Sequence, residues 1–253
     1  MQVRAKILLL LVLRFSNMNN TMLTLSNISM IFKQSDVEDK TVLTNLNLDI
    51  LNDKWYYLIG ENGSGKSTIL KVIVNELAPT VGSVVYKQIQ VKDICFIEQE
   101  ISKNLVLSMT VFENMIIALS AFSKFKNNLS FYHRKDSKEK CKEILSEYEM
   151  GIETQLNKQV KYLSSGQQQA LVIATALCKQ PKLILADEFT SALDYKVAPN
   201  VLKIMFNYKQ QTHCSIISIS HNKKEIIESA EIVLNLRNGT VEIVTDVSGC
   251  LAR

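Results

Sequence analysis

The chain has 253 residues, 47% of them hydrophobic and 21% charged, which suits one large globular domain and excludes a disordered protein. Its net charge is +4, but Arg4, Lys6 and Arg14 supply three of these charges, so the rest of the chain is nearly neutral and gives no reason to expect nucleic-acid binding. The cysteines form no CxxC pair and are odd in number, which argues against a zinc site or a disulfide framework and favours a reducing, cytosolic setting.

Residues 1–21 form a leader that differs from the rest of the chain. Ile7–Leu13 is a short apolar run flanked by basic residues. It is too short to span a bilayer, which takes about 20 residues, and no small-residue cleavage site follows it. Two interpretations remain open: an upstream start codon, with Met22 as the natural first residue, or an anchor at a membrane surface. Residues 246–253 are interpreted as a tail.

Apolar patterns predict strands in the first hundred residues. Leu23–Ile28 predicts a first strand, and Val42–Ile50 alternates apolar and polar residues, as half-buried strands do. Trp55–Ile59 is short and continuously apolar, which is typical of a buried parallel strand. Ile94–Ile97 predicts another short strand.

Helical periodicity dominates the next part of the chain. Val111–Met150 has apolar residues at helical spacing, and the charged run Arg134–Glu143 is interpreted as a solvated helix face. Leu183–Ala186 and Ser215–Ile219 predict buried strands, with an amphipathic helix over residues 197–208 between them. Strands that alternate with helices predict an α/β fold with a parallel sheet covered on both faces. The helical stretch from about 105 to about 165 is interpreted as an insertion into that sheet.

A glycine-rich loop lies between a predicted strand and a predicted helix, and it fits the pattern G-x-x-x-x-G-K-[ST]. Its residues are Gly60, Glu61, Asn62, Gly63, Ser64, Gly65, Lys66, Ser67 and Thr68. Backbone N–H groups of such a loop, together with the helix N-terminus, bind phosphate oxygens. We expect Lys66 to reach the β- and γ-phosphates of a nucleotide, Ser67 to ligate Mg²⁺, and Thr68 to help hold the phosphates. The loop alone predicts a P-loop NTPase without choosing its class.

Two acids end the apolar strand Leu183–Glu188, where a parallel sheet binds its ligands. In a chain with a P-loop, hydrolysis is the better interpretation of this pair than a helix N-cap. We expect Asp187 to hold Mg²⁺ and Glu188 to act as general base on the attacking water. His221 and Gln99 end two other predicted strands. Each alone could be structural, but here His221 could donate to the γ-phosphate, and Gln99 could reach Mg²⁺ or the water.

Leu163–Gln169 reads L-S-S-G-Q-Q-Q and resembles the signature sequence L-S-G-G-Q of the ABC ATPases. The other motifs of that family are matched in chain order over about residues 22–245. They are the Walker A loop at Gly60–Thr68, the Q-loop glutamine at Gln99, Walker B with its glutamate at Leu183–Glu188, the D-loop at Ser191–Asp194 and the switch histidine at His221.

The resemblance implies the fold of this family: a P-loop NTPase with a mostly parallel sheet, an antiparallel β subdomain and an inserted helical subdomain. It also implies a site that uses ATP and Mg²⁺ and is completed by a second ATPase subunit. Ser164, Ser165, Gly166 and Gln167 of one subunit would bind the nucleotide held by the P-loop of the other in a head-to-tail dimer. Phe32 is the candidate for the aromatic side chain that stacks on adenine.

In function, the resemblance implies the ATPase subunit of a transporter, at the cytoplasmic face of the membrane. Its partners would be an identical or pseudo-symmetric ATPase subunit, an integral membrane permease that docks on the helical insertion and, for uptake, an extracytoplasmic solute-binding protein. Ser108–Met115, Lys158–Leu163 and Glu188–Asp194 are similar to bacterial ATPases that serve a permease and a binding lipoprotein for amino-acid-like solutes. Lipoprotein and antibiotic exporters share much of this pattern.

The chain departs from the family pattern at two positions. Ser165 replaces the first glycine of the signature, and we expect slower hydrolysis from it, although a non-glycine residue fits the negative φ of a helix start. Phe189 replaces the proline that usually follows the glutamate. That position is expected to be a turn next to the dimer interface, with a modest effect.

Two other functions compete with transport. Soluble relatives in DNA repair or on the ribosome carry two cassettes, a long coiled coil or zinc cysteines, and this chain has none of these features. A membrane-associated cassette that signals, or acts in cell division without moving a solute, is the alternative that remains open.

Overall fold

A computed structural model gives the structure of the chain and describes residues 20–33, 39–122 and 135–244. The tail, Arg134 and almost all of the predicted leader lie outside these residues. Within them, none of the helices is both long and apolar enough to cross a membrane.

The described strands form two sheets. They are β1 (Thr21–Phe32), β2 (Lys40–Leu51), β3 (Trp55–Ile59), β4 (Val81–Tyr86), β5 (Ile94–Ile97), β6 (Leu183–Asp187), β7 (Ser215–Ile219), β8 (Ile232–Arg237) and β9 (Thr240–Val244). The larger sheet has the order β5-β6-β7-β3-β8-β9, and all neighbours are parallel except β9, which is antiparallel to β8. The smaller sheet is antiparallel with the order β2-β1-β4. The predicted α/β class with a mostly parallel sheet and an antiparallel part is confirmed.

The described helices are α1 (Lys66–Ile73), α2 (Ile101–Asn104), α3 (Val111–Phe122), α4 (Lys135–Ser146), α5 (Ser165–Cys178), α6 (Ala198–Thr212) and α7 (Lys223–Ser229), with short 3-10 helices at Val91–Asp93, Ile152–Thr154 and Val160–Tyr162. Helices α3, α4 and α6 lie where apolar periodicity predicts helical structure. Helices α1 and α5 begin directly after their N-cap residues, Gly65 and Ser164.

The central strands β3, β6 and β7 of the six-stranded sheet are buried on both faces, which explains why they are almost continuously apolar. Successive side chains of a strand point to opposite faces. In β3, Trp55 and Tyr57 join one core cluster, and Tyr56 and Leu58 join the other. The first cluster includes residues of α3, α4, α5 and α6, and the second includes residues of α1 and of the antiparallel sheet.

The long segment 98–182 separates β5 and β6 in sequence, although the two strands are neighbours in the sheet. Its helices α3, α4 and α5 pack through buried residues such as Met115, Cys141 and Leu145. Cys141 and Leu145 belong to the predicted apolar face, and the charged residues around them in α4 are exposed. The limits of this segment as a separate subdomain remain a prediction.

The amino ends of the central strands carry a set of linked charges, which we call the amino-edge network: Asp53, Lys54, Lys209, His213 and Glu231. The Lys209 ammonium lies 2.8 Å from a carboxylate oxygen of Asp53 and 2.8 Å from one of Glu231, and its side chain is only 4% exposed. Lys54 pairs with Glu231 at 2.9 Å, and His213 lies 3.2 Å from Asp53. The network ties α6 to the chain just before β3, β7 and β8.

Candidate functional site

The glycine-rich loop follows β3 and packs tightly against its neighbours. Gly60 has φ +148°, and a Cβ there would lie 2.5 Å from the Leu236 carbonyl oxygen in β8. Gly65 has φ +107°, and a Cβ there would lie 2.6 Å from Val42 in β2. Any larger residue would therefore push the loop off both sheets. At Gly63, by contrast, an added Cβ would meet no heavy atom within 4 Å, so the loop is open on that side.

Lys66 and Ser64 have polar groups that fit a phosphate ligand. The Lys66 ammonium is buried and donates to the carbonyl oxygens of Gly60 and Glu61, both at 2.9 Å. Burial, the largest influence, lowers the pKa of Lys66, while the nearby charges of Glu188 and Asp187 act in the opposite direction. The Ser64 hydroxyl oxygen is buried without a hydrogen-bond partner. An orphaned hydroxyl and an ammonium bound only to carbonyls suit the oxygens of a phosphate chain.

Glu188 lies between Gln99 and His221, at the carboxyl ends of three neighbouring strands. The Gln99 side-chain amide donates to one carboxylate oxygen of Glu188 at 2.8 Å. His221 Nε2 lies 3.4 Å from the other oxygen. Because β6 lies between β5 and β7, the residues that follow these strands meet at one edge of the sheet. The structure therefore brings together the three residues that the sequence places at the ends of separate strands.

The backbone turns sharply at Glu188, which has φ +49°. Its N–H donates to the Ile219 carbonyl at 3.1 Å, and its own carbonyl accepts from the N–H and the hydroxyl of Ser191. A non-glycine residue in this left-handed region is strained, and such strain persists where the surrounding structure fixes it. The hydrogen bonds on both sides of Glu188 provide that restraint.

Phe189 lies in a turn after β6, as the sequence predicts. Its side chain is fully buried in the first core cluster, which the sequence does not predict. Phe189 therefore anchors the segment that carries Glu188. Its place next to a dimer interface and its modest effect remain predictions.

The residues predicted to hold Mg²⁺ are Ser67, Gln99 and Asp187. Asp187 is the buried last residue of β6, and Ser67 is the second residue of α1 and half-buried. Hydroxyl, amide and carboxylate oxygens are ligands that suit Mg²⁺, which usually keeps several waters and needs few protein groups. Within residues 20–33, 39–122 and 135–244, no cluster of three or more His, Cys, Asp or Glu residues could hold a metal ion by itself.

The signature segment begins α5 with a capping box. The Ser164 hydroxyl accepts from the Gln167 N–H at 3.3 Å, and the Gln167 side chain accepts from the Ser164 N–H at 3.2 Å. Ser164 and Ser165 are exposed, and Gly166 is half-buried. A Cβ at Gly166 would lie 4.0 Å from Leu193, so the D-loop passes beside this helix start. The segment thus presents an open helix N-terminus, which favours anions.

Phe32 is the last residue of β1, where it pairs with Lys40 and packs half-buried against the second core cluster. Two residues further along β2, Val42 contacts the loop at Gly65. The strand pair that carries Phe32 therefore reaches the phosphate loop, although the segment 34–38 lies outside the described residues.

The sequence pattern does not reveal which other residues support the site. Leu236 and Val42 shape the loop through close packing, and Thr190 and Glu225 form a buried hydrogen bond behind Glu188. In the sequence, Glu225 looks like one more charge in the lysine-rich start of a surface helix. Only the burial of its side chain indicates that Glu225 supports the site.

A family model described as "ABC transporter" matches residues 43–191, more than half of the chain. The chain belongs to the ABC transporter family. A Staphylococcus haemolyticus protein named as a hemin import ATP-binding protein is 32% identical over 87% of this chain and 99% of its own length. A Clostridioides difficile tyrosine transport ATP-binding protein is 29% identical over 89% of this chain and 92% of its own length.

A solved ABC cassette shares the fold. It is a dimer in a post-hydrolysis state bound to ADP and Pi, with a TM-score of 0.75 and 28% identity, and the match covers 87% of this chain and 97% of the cassette. The chain is therefore an ABC ATPase that binds and hydrolyses ATP, and its relatives support a role in ATP-driven transport.

Proposed function

We propose that this chain binds ATP with Mg²⁺ at the Gly60–Thr68 loop, hydrolyses it with Glu188, and so energises a separate membrane permease. The observation that carries this proposal is the Glu188 carboxylate, which Gln99 and His221 contact from opposite sides at the carboxyl edge of the sheet. A carboxylate held in this way is oriented for one task, the acceptance of a proton from an attacking water.

Each neighbouring residue has a distinct role. The backbone N–H groups of the loop and the Lys66 ammonium bind the phosphates, and the unpaired Ser64 hydroxyl adds a donor. Gln99 holds Glu188 in place, and His221 donates towards the γ-phosphate. Bound through Ser67, Gln99 and Asp187, Mg²⁺ would supply positive charge that stabilises the phosphate oxygens.

A second cassette completes the site in this proposal. Ser164–Gln167 presents an exposed helix N-terminus, a place suited to bind the phosphate of an ATP held by another subunit. The similar solved cassette is a dimer. We expect an identical or closely related subunit to supply the signature in a head-to-tail arrangement.

The partner in the membrane is expected to contact the segment 98–182. This segment presents several apolar side chains to solvent, and such exposure is typical of a contact surface. They are Val106, Met109, Ile117 and Tyr162. Such a contact would place the chain at the cytoplasmic face of the membrane.

Choice of solute belongs to the permease in this proposal. The two relatives of similar identity are named for unlike solutes, hemin and tyrosine, so the cassette sequence is shared across substrates. Uptake of an amino-acid-like solute with a binding lipoprotein stays a prediction from the finer motif resemblance.

The partner test uses the full chain with Glu188→Gln, a change that slows hydrolysis and keeps ATP bound. The tagged variant is purified from detergent-solubilised membranes with ATP and Mg²⁺, and co-purifying proteins are identified by mass spectrometry. A multi-span membrane protein in matching amount supports the proposal. Recovery of ribosomes, DNA or a soluble dimer alone contradicts it, and a cell-division protein would support the signalling alternative.

A further inference from the structure

Glu225 is a buried carboxylate in the first turn of α7, with 2% of the residue exposed. No motif of the ATPase site includes it. Buried carboxylates are rare unless their oxygens are paired, because removal of the charge from water is costly. Its partners therefore indicate why it is there.

Two hydroxyl groups donate to the Glu225 carboxylate. Tyr57 donates at 3.0 Å to one oxygen, and Thr190 donates at 2.7 Å to the other. The Ser220 side chain lies near the carboxylate and favours its charged form. A carboxylate can accept on both oxygens at once, whereas a neutral amide has only one accepting oxygen. The charged form of Glu225 is thus the form that can accept from both donors.

Thr190 and Ser220, two of the side chains around the carboxylate, lie next to residues with proposed roles in hydrolysis. Thr190 is two residues after Glu188, and Ser220 immediately precedes His221. Glu225 therefore joins the turn that carries the proposed base to the turn that carries the histidine. Because these turns follow two different strands, β6 and β7, the carboxylate fixes their relative position beyond the end of the sheet.

The other donor, Tyr57, extends this link to the strand that precedes the phosphate loop. Tyr57 lies in β3, three residues before Gly60, and its ring stacks on Trp55 with a centroid separation of 5.9 Å. One buried carboxylate therefore connects the segments that carry the phosphate loop, the base and the histidine.

This arrangement is costly for stability. Burial is the largest influence on Glu225 and raises its pKa, despite the three side chains, Thr190, Tyr57 and Ser220, that favour the charged form. A glutamine of the same shape would avoid the cost of the buried charge but would offer the two donors only one accepting oxygen.

We propose that Glu225 is a positioning residue, which holds Glu188 and His221 in the geometry needed for hydrolysis through its hydrogen bond from Thr190 and its contact with Ser220. This inference rests on the roles proposed above for Glu188 and His221. Glu225 contacts neither residue directly in the hydrogen bonds of the structure, so its effect passes through the two turns.

The test substitutes Glu225→Gln in the full chain and measures kcat, KM for ATP and Tm. We expect kcat to fall on the order of tenfold and KM to change by less than about twofold, because the phosphate loop keeps its own backbone contacts. Tm should change little, since removal of the buried charge offsets the loss of one accepting oxygen. A purely structural role would instead lower Tm and leave the kcat of the folded protein unchanged.

Substitutions at Thr190 provide the rescue control. Thr190→Val removes one donor and should lower kcat. Thr190→Ser keeps the hydroxyl and should retain most of the wild-type kcat. The double variant Thr190→Val with Glu225→Gln should have a kcat only slightly below that of the more impaired single variant, because the two residues form one contact. Additive losses would contradict the proposed link.

Two further variants separate failure of this inference from failure of the proposed function. Glu231→Gln changes a glutamate of the amino-edge network and should leave kcat intact. Glu188→Gln should abolish turnover. If Glu188→Gln abolishes turnover while Glu225→Gln retains the wild-type kcat, the positioning role of Glu225 is wrong. If Glu188→Gln retains turnover, the proposed base is wrong.

Discussion

The two edges of the six-stranded sheet both carry charged side chains, but they use them differently. At the amino edge, Lys209 is matched by two carboxylates, and every member of the network has a partner at short distance. At the carboxyl edge, Lys66 is bound only to carbonyl oxygens, and Glu188 is contacted by an amide and an imidazole. The charged groups at the amino edge are all paired within the chain, whereas Lys66 at the carboxyl edge can still bind an anionic ligand.

This difference explains why charge alone does not identify a site. Lys209 is buried and closely paired, yet its contacts serve to tie α6 to the start of β3 and β8. Lys66 is also buried, but its pKa is lowered, while that of Lys209 is raised despite burial because Asp53 and Glu231 hold its charge. A buried ammonium without a carboxylate partner indicates a place for an anion.

The largest effect is expected from Glu188→Gln. Loss of the proton acceptor should lower kcat about 10²-fold or more, while ATP binding and Tm change little. Turnover is measured by phosphate release from the full chain at saturating ATP. Glu231→Gln is the matched control at the other edge, where the same chemical change should alter Tm and not kcat. Equal losses of kcat in both variants would contradict the assignment of hydrolysis to the carboxyl edge alone.

Lys66→Met should weaken ATP binding about 10²-fold, because the phosphates lose their cation in a partly buried setting. Methionine has a similar length and is apolar, so Tm in the absence of nucleotide should stay close to that of the wild type. Binding is measured by titration calorimetry or with a fluorescent ATP analogue. If this variant bound ATP with wild-type affinity, Lys66 would not be part of the binding site.

Lys209→Met is the counterpart at the amino edge and should lower stability by about 2 kcal/mol, which is about 5 °C in Tm. The estimate is smaller than for a fully buried pair because Asp53 and Glu231 are 47% and 35% exposed. ATP affinity should not change. Thermal unfolding and ATP titration of the same preparation check both statements, and a loss of affinity with an unchanged Tm would contradict them.

Acid dependence should be the smallest effect. The hydrogen bond from Lys209, with help from His213, holds the pKa of Asp53 below its ordinary value of 3.8. The unfolded chain therefore binds the proton more readily, and the stability that Asp53 contributes is present at neutral pH and lost as the pH falls below about 4. Urea unfolding at several pH values should show a shallower acid loss in Lys209→Met than in the wild type. Identical slopes would argue against the pairing.

Sequence patterns predict the fold and the main site residues because strands, helices and phosphate loops depend on the order of residue types within short segments. Continuous apolar runs predict buried parallel strands such as β3 and β6, and the glycine spacing of Gly60–Thr68 predicts a phosphate loop. Gln99, Glu188 and His221 are predictable as neighbours because parallel strands bring their carboxyl ends to one edge.

What the sequence cannot predict depends on three-dimensional packing. Phe189 is buried beside a left-handed turn at Glu188, and the residue pattern predicts neither feature. Glu225 looks like a surface charge until its hydroxyl partners, Tyr57 and Thr190, are known. Likewise, the match of Lys209 with Asp53 joins residues far apart in the chain.

The most direct test of the account is complementation between two inactive chains. Lys66→Met disables the phosphate loop, and Gly166→Asp puts a negative charge at the signature, where the helix start tolerates an acid but a phosphate would be repelled. Each chain alone should show almost no ATPase activity. An equimolar mixture should recover about a quarter of wild-type activity, because half of the dimers are mixed and each contains one complete site. A mixture that stays at the level of the separate chains would contradict a site shared between two subunits.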